Sequence, residues 1–201
     1  MKVPVTIYAE LTPNPSTMKF VANKYLLPSG ESANFNTKKD TIGFSPLAEE
    51  LFNLPFVDGI FIASNFVTVT KTDNVSWDFI TMQLREFIRE WISDGKEILL
   101  KSQENEEPSI PEVDMSKLEF EESDLDHKIA ALLDQYVRPA VANDGGAIDY
   151  LGFKDGKVTV LMKGSCAGCP SSTATLKGGI ETLLKQHLPE VQEVIAINPP
   201  M

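Results

Sequence analysis

The chain has 201 residues, 42% of them hydrophobic, with 18 basic against 29 acidic side chains and a formal net charge of −11. That length forms one large domain or two small ones with separate cores. The acidic balance argues against a nucleic-acid binder, which needs a basic face, no run is long and apolar enough to span a bilayer, and the opening MKVPVTIYAE lacks the apolar core of a signal peptide.

In chain order, Val3, Val5 and Ile7 alternate and predict a strand, followed by the turn-rich Thr12-Pro13-Asn14-Pro15. Met18, Phe20 and Val21 predict a second strand. Ser45 before Pro46 marks a helix start, and that helix should stop before Pro55. Val57 to Ala63 and Phe66 to Lys71 predict a hairpin about Ser64-Asn65. Ser76 caps a long helix whose Trp77, Ile80, Leu84, Phe87, Ile88 and Trp91 form an apolar stripe, read as core and not as a cofactor box.

Charge then marks a boundary. Residues 1–100 carry a net −3, residues 101–126 a net −8, and residues 127–201 none. The stretch KSQENEEPSIPEVDMSKLEFEE, residues 101–122, holds Pro108 and Pro111 and no sustained periodicity, so it reads as a mobile, solvated spacer. A contact segment using Ile110, Val113, Met115, Leu118 and Phe120 is the other reading.

Beyond it, Ser123 and Asp126 suggest a capping box before a helix with Leu125, Ile129, Leu132, Leu133 and Tyr136 inward. Asp144-Gly145-Gly146 allows a tight turn, a better reading of Asp144 than a catalytic carboxylate. Ile148 to Phe153 and Lys157 to Lys163 flank Asp155-Gly156, a hairpin signal, with Val158, Val160 and Met162 on one face. A helix opens at Pro170 and places Leu176, Ile180, Leu183, Leu184 and Leu188 on one side, and Val191 to Ile197 gives a last strand. The echo between Leu54-Pro55-Phe56-Val57 and Leu188-Pro189-Glu190-Val191 is attributed to local helix-breaking, not to duplication. The expected class is α/β (α+β): two small mixed α/β domains, 1–100 and 123–201, joined by an acidic flexible linker at 101–122.

Between the final hairpin and that last helix stands Gly164-Ser165-Cys166-Ala167-Gly168-Cys169-Pro170, which holds the only two cysteines of the chain. Two thiolates three positions apart can face one soft metal, yet two sulfurs do not complete the four-ligand shell of zinc or an iron–sulfur cluster. His127 and His187 are distant in sequence from the pair and read as surface residues. A second copy is the simplest donor of the missing ligands, so that two CxxC pairs meet across a symmetry axis. Pro170 would place Cys169 at the N-cap, where the positive helix end favours thiolate. A loop at a helix tip contributes little core burial, so either cysteine should be replaceable without loss of fold. Gly164 and Gly168 suit a tight turn beside a metal, and Lys177 and Lys185 suit solvation of the helix.

The run GSCAGCPSSTATLKGGIETLLKQHLPEV resembles the signature of the NifU-like C-terminal domain of Nfu-type iron–sulfur carrier proteins. VRPAVANDGGAIDYLGF, from Val137 to Phe153, resembles the helix, turn and first strand of the same domain. LTPNPSTMKF at Leu11 to Phe20 and FVTVTKTDNVSWDFI at Phe66 to Ile80 resemble the Nfu N-terminal domain. The resemblance implies Cys166 and Cys169 as ligands of an iron–sulfur cluster, [4Fe–4S] favoured over [2Fe–2S]. It implies cluster-assembly scaffold proteins and apo iron–sulfur proteins as partners and a homodimer when loaded; the expected location is a bacterial cytoplasm, or an organelle matrix if a transit peptide has been removed.

A CxxC disulfide oxidoreductase and a zinc-stabilised interaction module are the alternatives. The first is disfavoured because the pair follows a hairpin and not the βαβ unit of a thioredoxin-like fold. Neither a Walker loop, a GxGxxG run nor a Ser/His/Asp arrangement is present, so a binding role is expected and not turnover.

Overall fold

A computed structural model describes residues 4–28, 30–100, 124–167 and 170–197, the side chains of 170–172 excepted. The chain divides into two compact units, Met1–Ser109 and Ile110–Met201, each with its own apolar core. The class is α/β, as expected. The predicted linker at 101–122 and the Ser123 cap lie outside the described residues.

The first unit is a five-stranded antiparallel sheet in the order β1-β2-β5-β4-β3. Its strands are β1 (Ile7–Leu11), β2 (Thr17–Ala22), β3 (Ser32–Phe35), β4 (Val57–Ala63) and β5 (Phe66–Lys71), with helices α1 (Lys38–Thr41), α2 (Pro46–Leu51) and α3 (Trp77–Ser93). The Ser45 side chain accepts from Ala48 N at 3.1 Å while its hydroxyl donates to the Ile98 carbonyl at 2.6 Å, which both starts α2 and ties down the chain after α3. The β4–β5 turn places Ser64 at φ 47°, and Asn65 donates to the Ala22 carbonyl at 3.1 Å. In α3, Ile80, Leu84, Ile88 and Ile92 are buried. Trp77, Phe87 and Trp91 flank them partly buried, each indole N–H donating to a backbone carbonyl. The predicted stripe is core.

One expectation needs correction here, with Val3 outside the described residues, and one strand was not expected. The first strand begins at Ile7, and Val5 is buried ahead of it without a strand pairing. Strand β3 has no alternating β-branched signal and exists because Ser32 to Phe35 pair in register with Ala63 to Ile60.

The second unit comprises α4 (Asp124–Leu132), a π-helical turn (Leu133–Val137), α5 (Arg138–Asn143), β6 (Gly146–Lys154), β7 (Lys157–Gly164), α6 (Pro170–His187) and β8 (Glu193–Ile197). The sheet order is β6-β7-β8. The π turn changes the predicted helix face: Tyr136 is 48% exposed, while Val137 and Val141 are buried with Ile129 and Leu133. Its cause is Pro139, which offers no N–H to the carbonyl of residue 135 and crowds it, so the ladder reorganises by one residue.

Strand β7 pairs antiparallel with β6 but parallel with β8. The segment β7-α6-β8 is therefore a βαβ crossover, which corrects the reading of the cysteines as following a hairpin alone. They end that hairpin and open the crossover.

Candidate functional site

The candidate segment is the connection from β7 to α6. Gly164 takes φ +65°, a conformation open to glycine at little cost, and turns the chain out of the strand. Ser165 N donates to the Gly145 carbonyl at 3.2 Å, the Ser165 hydroxyl donates to the Asp144 carbonyl, and Ala167 N closes a turn onto the Gly164 carbonyl at 3.1 Å. On the other side, the Thr173 hydroxyl in the first turn of α6 donates to the Cys166 carbonyl at 3.2 Å. The Cys166 backbone is thus held from both flanks.

Cys166 is 5% exposed and belongs to the same buried cluster as Val141, Ile148, Met162 and Ile180. This corrects the expectation that the loop adds little to the core. Cys169 and Gly168 lie outside the described residues, so the pairing of Cys169 with Cys166 in space stays an expectation. His127 and His187 are exposed, as predicted. His187 ends an 18-residue helix, about 27 Å long, whose other end carries the cysteine loop; its ring stacks on Tyr136 with centroids 6.2 Å apart. Among the described residues no group of three or more His, Cys, Asp or Glu side chains could hold a metal ion.

Lys177 pairs with Glu193 at 3.5 Å and Lys185 with Glu181 at 2.5 Å, so both are engaged within the unit. Lys185 and the Val194 N–H hold the Glu181 carboxyl below the usual range. The Val194 bond to Glu181 and the Lys177–Glu193 pair tie α6 to β8.

Gly146 is the site residue that the sequence reading missed. Gly145 takes φ +81° and makes the turn, whereas Gly146 does not need the left-handed region. A Cβ at Gly146 would meet Cys166 Sγ at 2.9 Å and the Lys163 carbonyl oxygen at 2.7 Å. The signal was present as a second glycine in a turn that requires one.

The family model described as "Scaffold protein Nfu/NifU N terminal" matches residues 7–95, and the model described as "NifU-like domain" matches residues 129–195. The chain is 38% identical over 192 residues to "NifU-like protein 4, mitochondrial" of Arabidopsis thaliana, covering 94% of this chain and 64% of that protein. It therefore spans less than two thirds of that relative. It is 34% identical over 200 residues to "NFU1 iron-sulfur cluster scaffold homolog, mitochondrial" of Drosophila erecta, covering 96% and 68% respectively. A NifU-like protein of Schizosaccharomyces pombe is 34% identical over 199 residues, covering 98% of this chain and 74% of that one. With both domain types in order and relatives matched along nearly its whole length, the chain belongs to the Nfu/NifU family.

Proposed function

We propose that the protein is an iron–sulfur cluster carrier in which Cys166 and Cys169 of two copies bind one cluster, [4Fe–4S] rather than [2Fe–2S], and release it to apo-proteins. The cluster is cargo. The observation that carries this reading is the placement of Cys166 at the β7–α6 connection, with its backbone tethered by Ser165 and Thr173. Two thiols in each chain leave a four-thiolate shell half filled, and a second copy completes it.

The residues present fit such a cargo. Ser165 and Thr173 fix the main chain at Cys166, so that little ordering remains to be done on loading. The first turn of α6 contributes backbone N–H groups and the positive end of the helix, which offsets the negative charge of a thiolate-ligated cluster. The family match, and not the burial of Cys166, favours a cluster carrier over a thiol–disulfide oxidoreductase, since either role needs the sulfur to become accessible. A relative is named an iron–sulfur cluster scaffold homolog, and the work assigned to this chain is cluster binding and delivery, not turnover.

Donor partners are assembly scaffolds and acceptors are apo iron–sulfur proteins, with the first unit selecting among acceptors. Mitochondrial relatives favour an organelle matrix over a bacterial cytoplasm, and no helix among the described residues is long and apolar enough to cross a membrane.

Anaerobic reconstitution tests the reading. Iron, sulfide and zinc analysis with size-exclusion chromatography should give one cluster per two chains in a species larger than the apo form, and Mössbauer spectra should show [4Fe–4S]. A stable monomer holding a full cluster without added thiol refutes the shared site; zinc without sulfide refutes the cargo.

A further inference from the structure

A thiolate that joins a metal shared with a second copy has to face outward. Yet Cys166 is 5% exposed, and its sulfur occupies the space that a side chain at residue 146 would take. A Cβ there would lie 2.9 Å from Sγ, 3.3 Å from Cys166 Cβ and 2.7 Å from the Lys163 carbonyl oxygen. The turn does not require a glycine at 146, because Gly145 supplies the left-handed residue. The sulfur and the adjoining strand carbonyl require it.

We propose that Gly146 forms a recess that holds the Cys166 sulfur inside the unloaded chain, and that cluster loading draws the sulfur out; the second half rests on the carrier reading. The change is one of side-chain rotation. Ser165 anchors the residue before Cys166 through two hydrogen bonds, and Thr173 anchors the Cys166 carbonyl, so the main chain stays in place. Staggered rotamers give the sulfur discrete positions, and the recess selects the inward one. Retracted, the thiol is withheld from alkylating reagents, oxidants and stray soft metals. Gly146 is on this account a positioning residue for the ligand, acting through the room it leaves.

The test uses the full chain without iron, with Cys169→Ser so that Cys166 is its single thiol. Alkylation by iodoacetamide, followed by mass spectrometry, should be at least about 100-fold slower under native conditions than in denaturing urea. Native and denatured rates within threefold of each other overturn the recess. Adding Gly146→Ala should raise the native rate at least about tenfold while the far-UV circular dichroism and a cooperative unfolding transition persist. A folded variant with an unchanged rate overturns the role of Gly146.

Because a Cβ also meets the Lys163 backbone, a second measurement does not depend on that variant. In the Cys169→Ser chain the rate should be independent of urea below the unfolding transition, as local rotation requires. A rate that climbs with the slope of global unfolding overturns local release. Iron and sulfide content is determined separately with both cysteines present. A shielded Cys166 in a chain that takes up no cluster keeps the recess and overturns its part in loading. A chain that loads but whose thiol is unshielded overturns the recess and leaves the carrier reading intact.

Discussion

Replacing Cys166 by Ser should remove cluster binding and also weaken the second unit. The residue is 5% exposed within the apolar cluster of Ile129, Val141, Met162 and Ile180. Exchanging a weakly polar S–H for O–H puts a more polar group among apolar neighbours, which costs about 1–3 kcal/mol. Ser165 Oγ lies 3.8 Å from the sulfur, a contact length that suits sulfur better than a serine hydroxyl held at the same place. A unit of this size is stabilised by only about 4–11 kcal/mol, so the loss is a large fraction of it. The midpoint of urea unfolding should fall by about 1 M or more, with an unchanged slope. Both tryptophans, Trp77 and Trp91, lie in the first unit, so indole fluorescence follows that unit and far-UV circular dichroism follows both. On iron-free protein the substitution should shift a dichroism transition and leave the fluorescence transition where it was. Coincident wild-type and variant curves by both probes would refute the assignment of Cys166 to the core.

The Tyr150 hydroxyl donates to Asp126 and ties α4 to β6; burial, then the bond to Asp126, raises its ionisation well above the ordinary phenol value. The neutral form is favoured in the fold, so this contribution is complete below about pH 10 and is lost as pH rises beyond it. Tyr150→Phe should flatten the stability profile of the second unit above that pH; identical alkaline midpoints by circular dichroism would count against it. Leu84→Ala empties a fully buried position on α3 and should cost the first unit about 2–5 kcal/mol. It should lower the fluorescence transition alone, and an equal shift of the second unit would contradict the separate cores.

Much of this fold was legible because its signals are local. Ser64-Asn65, Asp155-Gly156, the Ser45 and Ser76 caps and the periodicity of α3 depend on residues within a few positions of one another. What failed depended on distant neighbours or on a breaker that the apolar spacing does not count. Strand β3 is formed by its pairing with β4, not by its own composition. The face of the α4 region turned on Pro139, which the apolar spacing of Leu125 to Tyr136 does not register. At the site, the CxxC motif marked the proposed ligands, but the Cys166 sulfur lies against Gly146, twenty residues earlier, and no spacing rule connects them.

The parallel pairing of β7 and β8 has a practical geometric consequence. Ile197 lies level with Leu161, three residues before Gly164 in β7, so both strands run toward the same edge of the sheet. Three residues of strand are about 10 Å. A fluorophore or affinity handle joined directly after Ile197 therefore departs from the cysteine end of the second unit. On the proposed shared site, a fluorophore there would report the arrival of a second copy, whereas a bulky handle would obstruct it.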